Sequence, residues 1–447
     1  TATATTTGGL LVGVNSSSTG TISIQNNTIG SLTSSGVAAA IAGSITGINV
    51  SGAASSMTIS GNTIGNTTAD NMRGGTSGLT TGNSLVSGIN LPSTSATLVV
   101  TNNTIRNLSS FGTGTSGYVR GIQTTTSGTT TAATISNNNV SNLTSDNTNV
   151  SFGSGQLAAI GIYFAAGLNA VISENTIFNI SLTNTTTSGT NAAGISVAAA
   201  LGTTVSRNRI YSISNASTSV SATLPGTVSG IFVRGHANGT PLSFINNMIS
   251  LGEGETTNTA FFGIWSANSN GPVFNNNVYF NSIHIGGTAS SGAEPSFAFL
   301  RGDLSATARL QVMDIRNNIF SNSRSGGTGK HYAIANNYGA TVSTSGWPAG
   351  ASNYNILNAA AANVGHWTTD QTFAGWQAAS TGDANSISGG AINFVNTTTA
   401  DLHITTPYPS LVESAGTNIP SVTIDFDGQN RAGLSPEDIG ADAGNFS

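Results

Sequence analysis

The side chains best equipped for chemistry are few and fall mainly in one run. Residues 294–331 hold Glu294, Arg301, Asp303, Arg309, Asp314, Arg316, Arg324, Lys330 and His331, and Lys330 is the only lysine in the chain. Within that run Arg301, Asp303, Arg309, Asp314 and Arg316 are the candidate polar groove, a set able to grip a polar ligand. The plainer reading is a solvated stretch with longer loops. Arg301-Gly302-Asp303 spells a cell-attachment tripeptide, but Phe299–Arg301 also reads as a strand. Asp425-x-Asp427-Gly428 begins like a calcium loop, yet lacks the later oxygen ligands such a loop requires and reads as a tight turn. Trp347, Trp367 and Trp376 could stack on sugar rings or fill a cap. The histidines His236, His284, His331, His366 and His403 have no metal-ligand spacing, so no zinc site is expected. No catalytic, cofactor or metal residue is assigned.

Composition narrows the classes. The 447 residues include 12 Lys+Arg and 17 Asp+Glu, a net charge of −5, and no basic stripe of the kind nucleic acid needs. There is no cysteine, hence no disulfide framework. No apolar run reaches the roughly 20 residues of a membrane span. Solubility rests on Thr, Ser, Asn and Gly, a surface commoner outside cells, and the expected location is extracellular or cell-surface. Thr1 reads as a processed or excised start.

The elements that must position these groups come from a repeat. The pattern apolar–x–x–Asn–x–Ile/Val recurs nine times, around Asn27, Asn62, Asn103, Asn138, Asn175, Asn208, Asn247, Asn276 and Asn317. In the ninth copy the flanking residues are displaced by one. The final Ile/Val of successive copies are separated by 35, 41, 35, 37, 33, 39, 29 and 41 residues. A fixed motif at variable spacing means similar coils with unequal loops. A second element precedes most copies, as in Gly47-Ile48-Asn49-Val50, Gly88-Ile89-Asn90-Leu91 and Gly161-Ile162-Tyr163-Phe164. These segments are short, β-branched and alternate with period two, as half-buried strands do.

In stacked coils equivalent residues lie above one another. The repeated Asn is expected at a bend, in the left-handed region, with its amide donating to the Asn of one neighbouring coil and accepting from the other. Sugar binding by the same row is the alternative.

The Asn-x-Ile coil motif resembles the right-handed parallel β-helix repeats of the pectate-lyase-like superfamily, over residues 10 to 340. The stretch Asp425-x-Asp427-Gly428-x-x-Arg431 followed by Pro436-x-Asp438-Ile439-Gly440-Ala441 resembles the closing region of secreted β-helix proteins of Bacteroidetes-type bacteria. The resemblance implies enzymes that cleave acidic polysaccharides with grouped aspartates, or with an acidic calcium cluster beside an Arg or Lys base. In the repeats Asp70, Asp146 and Glu174 stand apart.

The expected fold is all-β, a right-handed parallel β-helix of about nine to eleven coils, with repeats over 1–344 and final coils and a C-terminal cap over 345–447. The expected function is an extracellular structural or adhesive surface protein without catalytic activity, a filament subunit or a segment of a larger adhesin. Its expected partners are copies of itself, end to end, or cell-surface glycans. The alternative is a β-helix that binds or degrades carbohydrate as a lyase or hydrolase.

Overall fold

The structure is a computed structural model that describes residues 2–4, 9–36, 41–93, 95–125, 132–152, 156–165, 169–198, 202–222, 224–234, 241–267, 275–304, 309–339, 342–405, 410–433 and 436–446. The fold is an all-β parallel β-solenoid of about nine turns, with about 48% strand and 3% helix. Three short strands make a coil. In one coil they are Asn83–Leu91, Thr97–Thr101 and Thr104–Ser110. Each runs parallel to its counterparts in the adjoining coils. Asn83–Leu91 lies between Ile41–Val50 and Tyr118–Thr124, and Thr97–Thr101 lies between Ser56–Ser60 and Ala132–Ser136.

Alternation in the sequence decides which side chains turn inward. In Thr97–Thr101 the buried positions are Leu98 and Val100, and the residues between them face outward. Registry then stacks like on like. In the first of two compact units (Thr1–Ala200 with Ile213–His236) Ile48, Ile89, Ile122, Ile162, Ile195 and Ile231 are successive partners. On the third strand Ile29, Ile64, Ile105, Val140 and Ile177 do the same. In the second unit (Leu201–Ser212 with Ala237–Ser447) the corresponding file is Ile210, Ile249, Ile283, Phe320 and Leu357. No β-branched file could form if the coils slipped by one residue, since every side chain would change face.

The glycine before the first-strand Ile has a steric role. A Cβ on Gly121 would lie 2.4 Å from Val140 Cγ1 and 2.6 Å from the Gly161 carbonyl oxygen, so the strands crowd together where no side chain intervenes.

In the second unit the helix Phe373–Ser380 buries Trp376, whose Nε1 donates to Asp383 Oδ2 at 2.7 Å. Trp347, Trp367 and Trp376 meet edge-on, with centroids 5.5–5.9 Å apart. The chain after residue 388 runs back along the coils of this unit. Asn246 donates to the Ile424 carbonyl, Asn317 to the Thr417 carbonyl, and Ser282 accepts from the Ala441 N–H.

Candidate functional site

Among the described residues ten asparagines occupy equivalent bends between second and third strands, five in each unit. In the first unit Nδ2 of Asn27 donates to Oδ1 of Asn62, and so on through Asn103, Asn138 and Asn175, at 2.9–3.0 Å. In the second the series is Asn208, Asn247, Asn281, Asn318 and Asn355, at 2.9–3.0 Å. Each Oδ1 after the first in a series also accepts the backbone N–H of the preceding Asn, as Asn138 does from Asn103. From Asn62 onward the amides are buried and consumed by the fold.

Three expectations need correction here. Asn276 and Asn317 are not in the file; Asn281 and Asn318 are. Asn276 sits on the strand Asn275–Tyr279, in register with Leu242 and Met313, pointing into the core with its Oδ1 unpartnered. Asn317 is one residue early and accepts the Thr417 N–H. The left-handed residue is also not the ladder Asn but the one before it: Asn26, Gly61, Asn102, Asn137, Glu174, Arg207, Asn246, Phe280, Asn317 and Tyr354 all have φ between 52° and 67°. The ladder Asn itself needs an ordinary conformation to aim its amide along the stack. Phe280, Tyr354, Glu174 and Arg207 hold a strained backbone because the amide file around them over-determines it.

The candidate groove residues separate into two sets. Arg301, Asp303 and Arg309 are all at most 5% exposed. Arg301 donates to Asn336 Oδ1 and to the Ser343 and Ser345 carbonyls, and burial pulls its pKa down to about 10. Arg309 pairs with Asp303 Oδ2, whose Oδ1 receives the Leu304 N–H. The Arg-Gly-Asp tripeptide is therefore interior and cannot meet a receptor. Asp314 and Arg316 are on a different strand, Val312–Arg316, half-exposed and paired at 2.7 Å, with the Tyr279 hydroxyl also donating to Asp314. The structure gives the five residues no common groove.

The C-terminal motif is a fastening. Asp425 Oδ1 accepts the N–H groups of Asp427 and Gln429, which makes the turn structural. Arg431, buried over the Phe280 ring at 4.0 Å, donates to Asn246 Oδ1 and to the Gly440 and Ala441 carbonyls. Burial brings its pKa down to about 10 against the pull of nearby carboxylates. Asp438 and Asp442 accept backbone N–H groups from Ser414 and Ile404.

Beside this turn His403, Asp427 and Asp442 place ligand atoms within 4.8 Å of one another, close enough for one cation. Both His403 nitrogens face carboxylates, Asp401 on Nδ1 at 2.5 Å and Asp427 on Nε2 at 2.9 Å. Burial works against a charged ring, but the bond to Asp401, the charge of Asp442 and the bond to Asp427 outweigh it and raise the pKa. When protonated, the His403 ring is itself a cation among these carboxylates. His236 lies outside the described residues.

A second set surrounds Tyr338, whose ring meets Phe297 and His366 edge-on at 5.0 and 4.9 Å. Asp370 accepts from Lys330 and the Tyr332 hydroxyl. Burial alone lifts Glu294 to about 7, while burial and then the charge of Arg324 lower His331 to about 4.

One cavity of about 520 Å³ opens on the outer side of the third strands, between Ser282–Ile285, Ile319–Asn322 and Ile356–Ala359 and the segment 388–397. His284 lies at its floor. Its Nε2 is 2.8 Å from Glu253 Oε1, and its Nδ1 is 3.3 Å from Ser321 Oγ. Glu253 reaches it from the turn Gly252-Glu253-Gly254, whose glycines have φ of 76° and 73°. The bond to His284 is the main cause that holds Glu253 below the usual carboxylate pKa. Sequence reasoning missed this group because its members are 31 and 37 residues apart, one coil each. The signal was present only as coil spacing. Comparison with protein-family models, with curated proteins and with solved structures finds no match.

Proposed function

We propose that the chain is an extracellular structural or adhesive surface protein whose coils are a scaffold rather than a polysaccharide-cleaving groove. One observation carries this reading: of the five charged side chains that could have made a groove, Arg301, Asp303 and Arg309 are spent inside, and Asp314 and Arg316 pair with each other. Arg301, Arg309 with Asp303, and Arg431 are buried on carbonyls and on each other. Arg324 is buried too, and donates to the carbonyls of Thr257, Glu255 and Gly286. A site for acidic polysaccharide keeps such groups open to substrate. The coil motif and the Asp425–Ala441 motif support a place among pectate-lyase-like β-helices secreted by Bacteroidetes-type bacteria. Among the described residues the strand Leu10–Ser16 pairs only with Ile41–Val50, and Leu10 is 61% exposed. Such an edge suits another coil, whether of the same chain or of a second copy, and supports end-to-end association. Cell-surface glycans are the other class of partner.

The test is a lyase assay on acidic polysaccharides together with a glycan array. Turnover that is lost in Arg316→Ala overturns the scaffold reading; glycan binding without turnover supports an adhesive role. Light scattering across concentration tests association, and a strictly monomeric protein counts against end-to-end contact.

A further inference from the structure

The geometry points to an acyl-transfer site in the cavity over the third strands, with Ser321 as nucleophile, His284 as base and Glu253 as the carboxylate that orients it. This goes beyond the scaffold reading and does not depend on it. Glu253 accepts the Nε2 hydrogen of His284 at 2.8 Å, which leaves Nδ1 as a bare acceptor. Ser321 Oγ stands 3.3 Å from that nitrogen, the looser distance found before substrate is bound. A second hydroxyl, Ser323, is 3.4 Å from Nε2 and gives its hydrogen to the Ile285 carbonyl, so it competes poorly for the base. Ser321 has no other hydrogen-bond partner among the described residues, and its half-buried hydroxyl lines the cavity.

The three groups are fixed by different devices. His284 and Ser321 are cross-coil partners in the stacked third strands, so their spacing is set by the sheet. Glu253 lies against Gly286, where a Cβ would come within 2.5 Å of its Oε1; any larger residue there would displace the carboxylate. Phe394 packs edge-on to the imidazole with centroids 6.0 Å apart. The remaining wall mixes apolar side chains, among them Val364, Ile392 and Phe394, with the polar Asn358, Ser388 and Thr397, and the volume of about 520 Å³ suits a small ester rather than a polymer.

The chemistry balances with water as the only co-reactant. Ser321 Oγ bonds to the ester carbonyl carbon as its proton passes to His284 Nδ1. The carbon–alkoxide bond then breaks, and the proton goes to the departing alcohol. Water, deprotonated by the same nitrogen, adds to the acyl carbon; the carbon–Oγ bond breaks, the carboxylic acid leaves, and the proton on the nitrogen restores the Ser321 hydroxyl. Glu253 stays ionised throughout and is a positioning residue.

The test uses the full chain with p-nitrophenyl acetate and p-nitrophenyl butyrate, and a fluorophosphonate probe read by peptide mass spectrometry. The expected result is label on Ser321 and hydrolysis that falls to the uncatalysed rate in Ser321→Ala and His284→Ala. Glu253→Gln is expected to lose about 10²–10⁴-fold in kcat and to alter the pH profile. Unfolding curves matching the wild type show that the variants are folded. Should Ser321→Ala lose its fold, probe labelling of the wild type decides alone. A folded wild type that takes no label at Ser321, or hydrolysis that survives Ser321→Ala, overturns the proposal.

Discussion

Asn138 is where the amide file can be tested most sharply. Its Nδ2 donates to Asn175 Oδ1 at 2.9 Å, to the Val100 carbonyl at 2.9 Å and to the Ser136 carbonyl at 3.1 Å. Its Oδ1 accepts both the backbone N–H and the Nδ2 of Asn103 at 3.0 Å. In Asn138→Ala some partners keep an alternative: Asn103 Nδ2 still has the Ile59 carbonyl, and Asn175 Oδ1 still has the N–H of residue 138. The Asn103 backbone N–H has no such reserve and is stranded where water does not reach. A stranded buried N–H costs about 1–3 kcal/mol and a net hydrogen bond about 0.5–1.5 kcal/mol, so the expected loss is about 2–4 kcal/mol. A solenoid can open coil by coil, and one unfolding midpoint then understates a local loss. Hydrogen exchange over residues 100–105 and 135–140 reads it directly, with protection falling by about 30- to 700-fold at about 1.4 kcal/mol per tenfold. Asn276→Ala is the control, because that side chain gives up only a 3.8 Å contact to Met313 Sδ. Equal losses in the two variants would refute the reasoning, since both are buried asparagines and only one is in the file.

The control position makes its own prediction. Asn276→Leu removes an unpartnered buried oxygen and restores the apolar type found at Leu242 and Met313, so stability should rise by about 1–2 kcal/mol in denaturant titration. Gly121→Ala should cost about 1–3 kcal/mol through overpacking against Val140 and Gly161, and unchanged unfolding would show that the coils can spread at no cost. Glu294 binds its proton more tightly folded than unfolded, so its contribution is complete below pH 4.5 and drains as pH rises to about 7. Glu294→Gln should therefore raise the melting temperature at pH 8 and leave it nearly unchanged at pH 4. His331 acts oppositely: neutral when folded, it costs stability as pH falls from 6.5 to about 4, and His331→Gln should blunt the acid side of the profile. If His403 serves as the cation of its own carboxylates, calcium and EDTA should both leave the melting temperature unmoved; a calcium-dependent rise would reassign that cluster to metal binding.

Most of the architecture was legible because stacked coils write themselves into the chain at every turn. Ile105 and Val140 need the same shape of environment, so their flanking residues repeat. Register slipped only where two candidates stood close. Around residue 276 three asparagines in a row mimic the motif, and the odd separations of 29 and 41 were its trace. With Asn281 and Asn318 in place, the spacings become 34, 37 and 37. The strained backbone was misplaced by one residue because Asn favours both roles, left-handed bend and amide ladder, and the two sit side by side in Asn102-Asn103. A second amide file was overlooked altogether. Asn49 donates to Asn15, Asn90 to Asn49 and Gln123 to Asn90 on the outward side of the first strands, at 2.6–2.9 Å. The Asn in Gly47-Ile48-Asn49 and Gly88-Ile89-Asn90 was its sign. The His284 group was invisible for a different reason: its members share no local motif, and only the coil lengths bring them together.

The asparagine file has a sense of travel. Every Nδ2 within a series points the same way along the chain, so the file has a sense, from acceptor to donor. In the second unit the finish is met by a negative charge: Asn355 Nδ2 donates to Asp383 Oδ1 at 3.1 Å. The start of the first unit, Asn27, offers an acceptor. A mirror-wise meeting of two such starts would set oxygen against oxygen. Any partner that covered Asn27 would have to bring a hydrogen-bond donor to that oxygen.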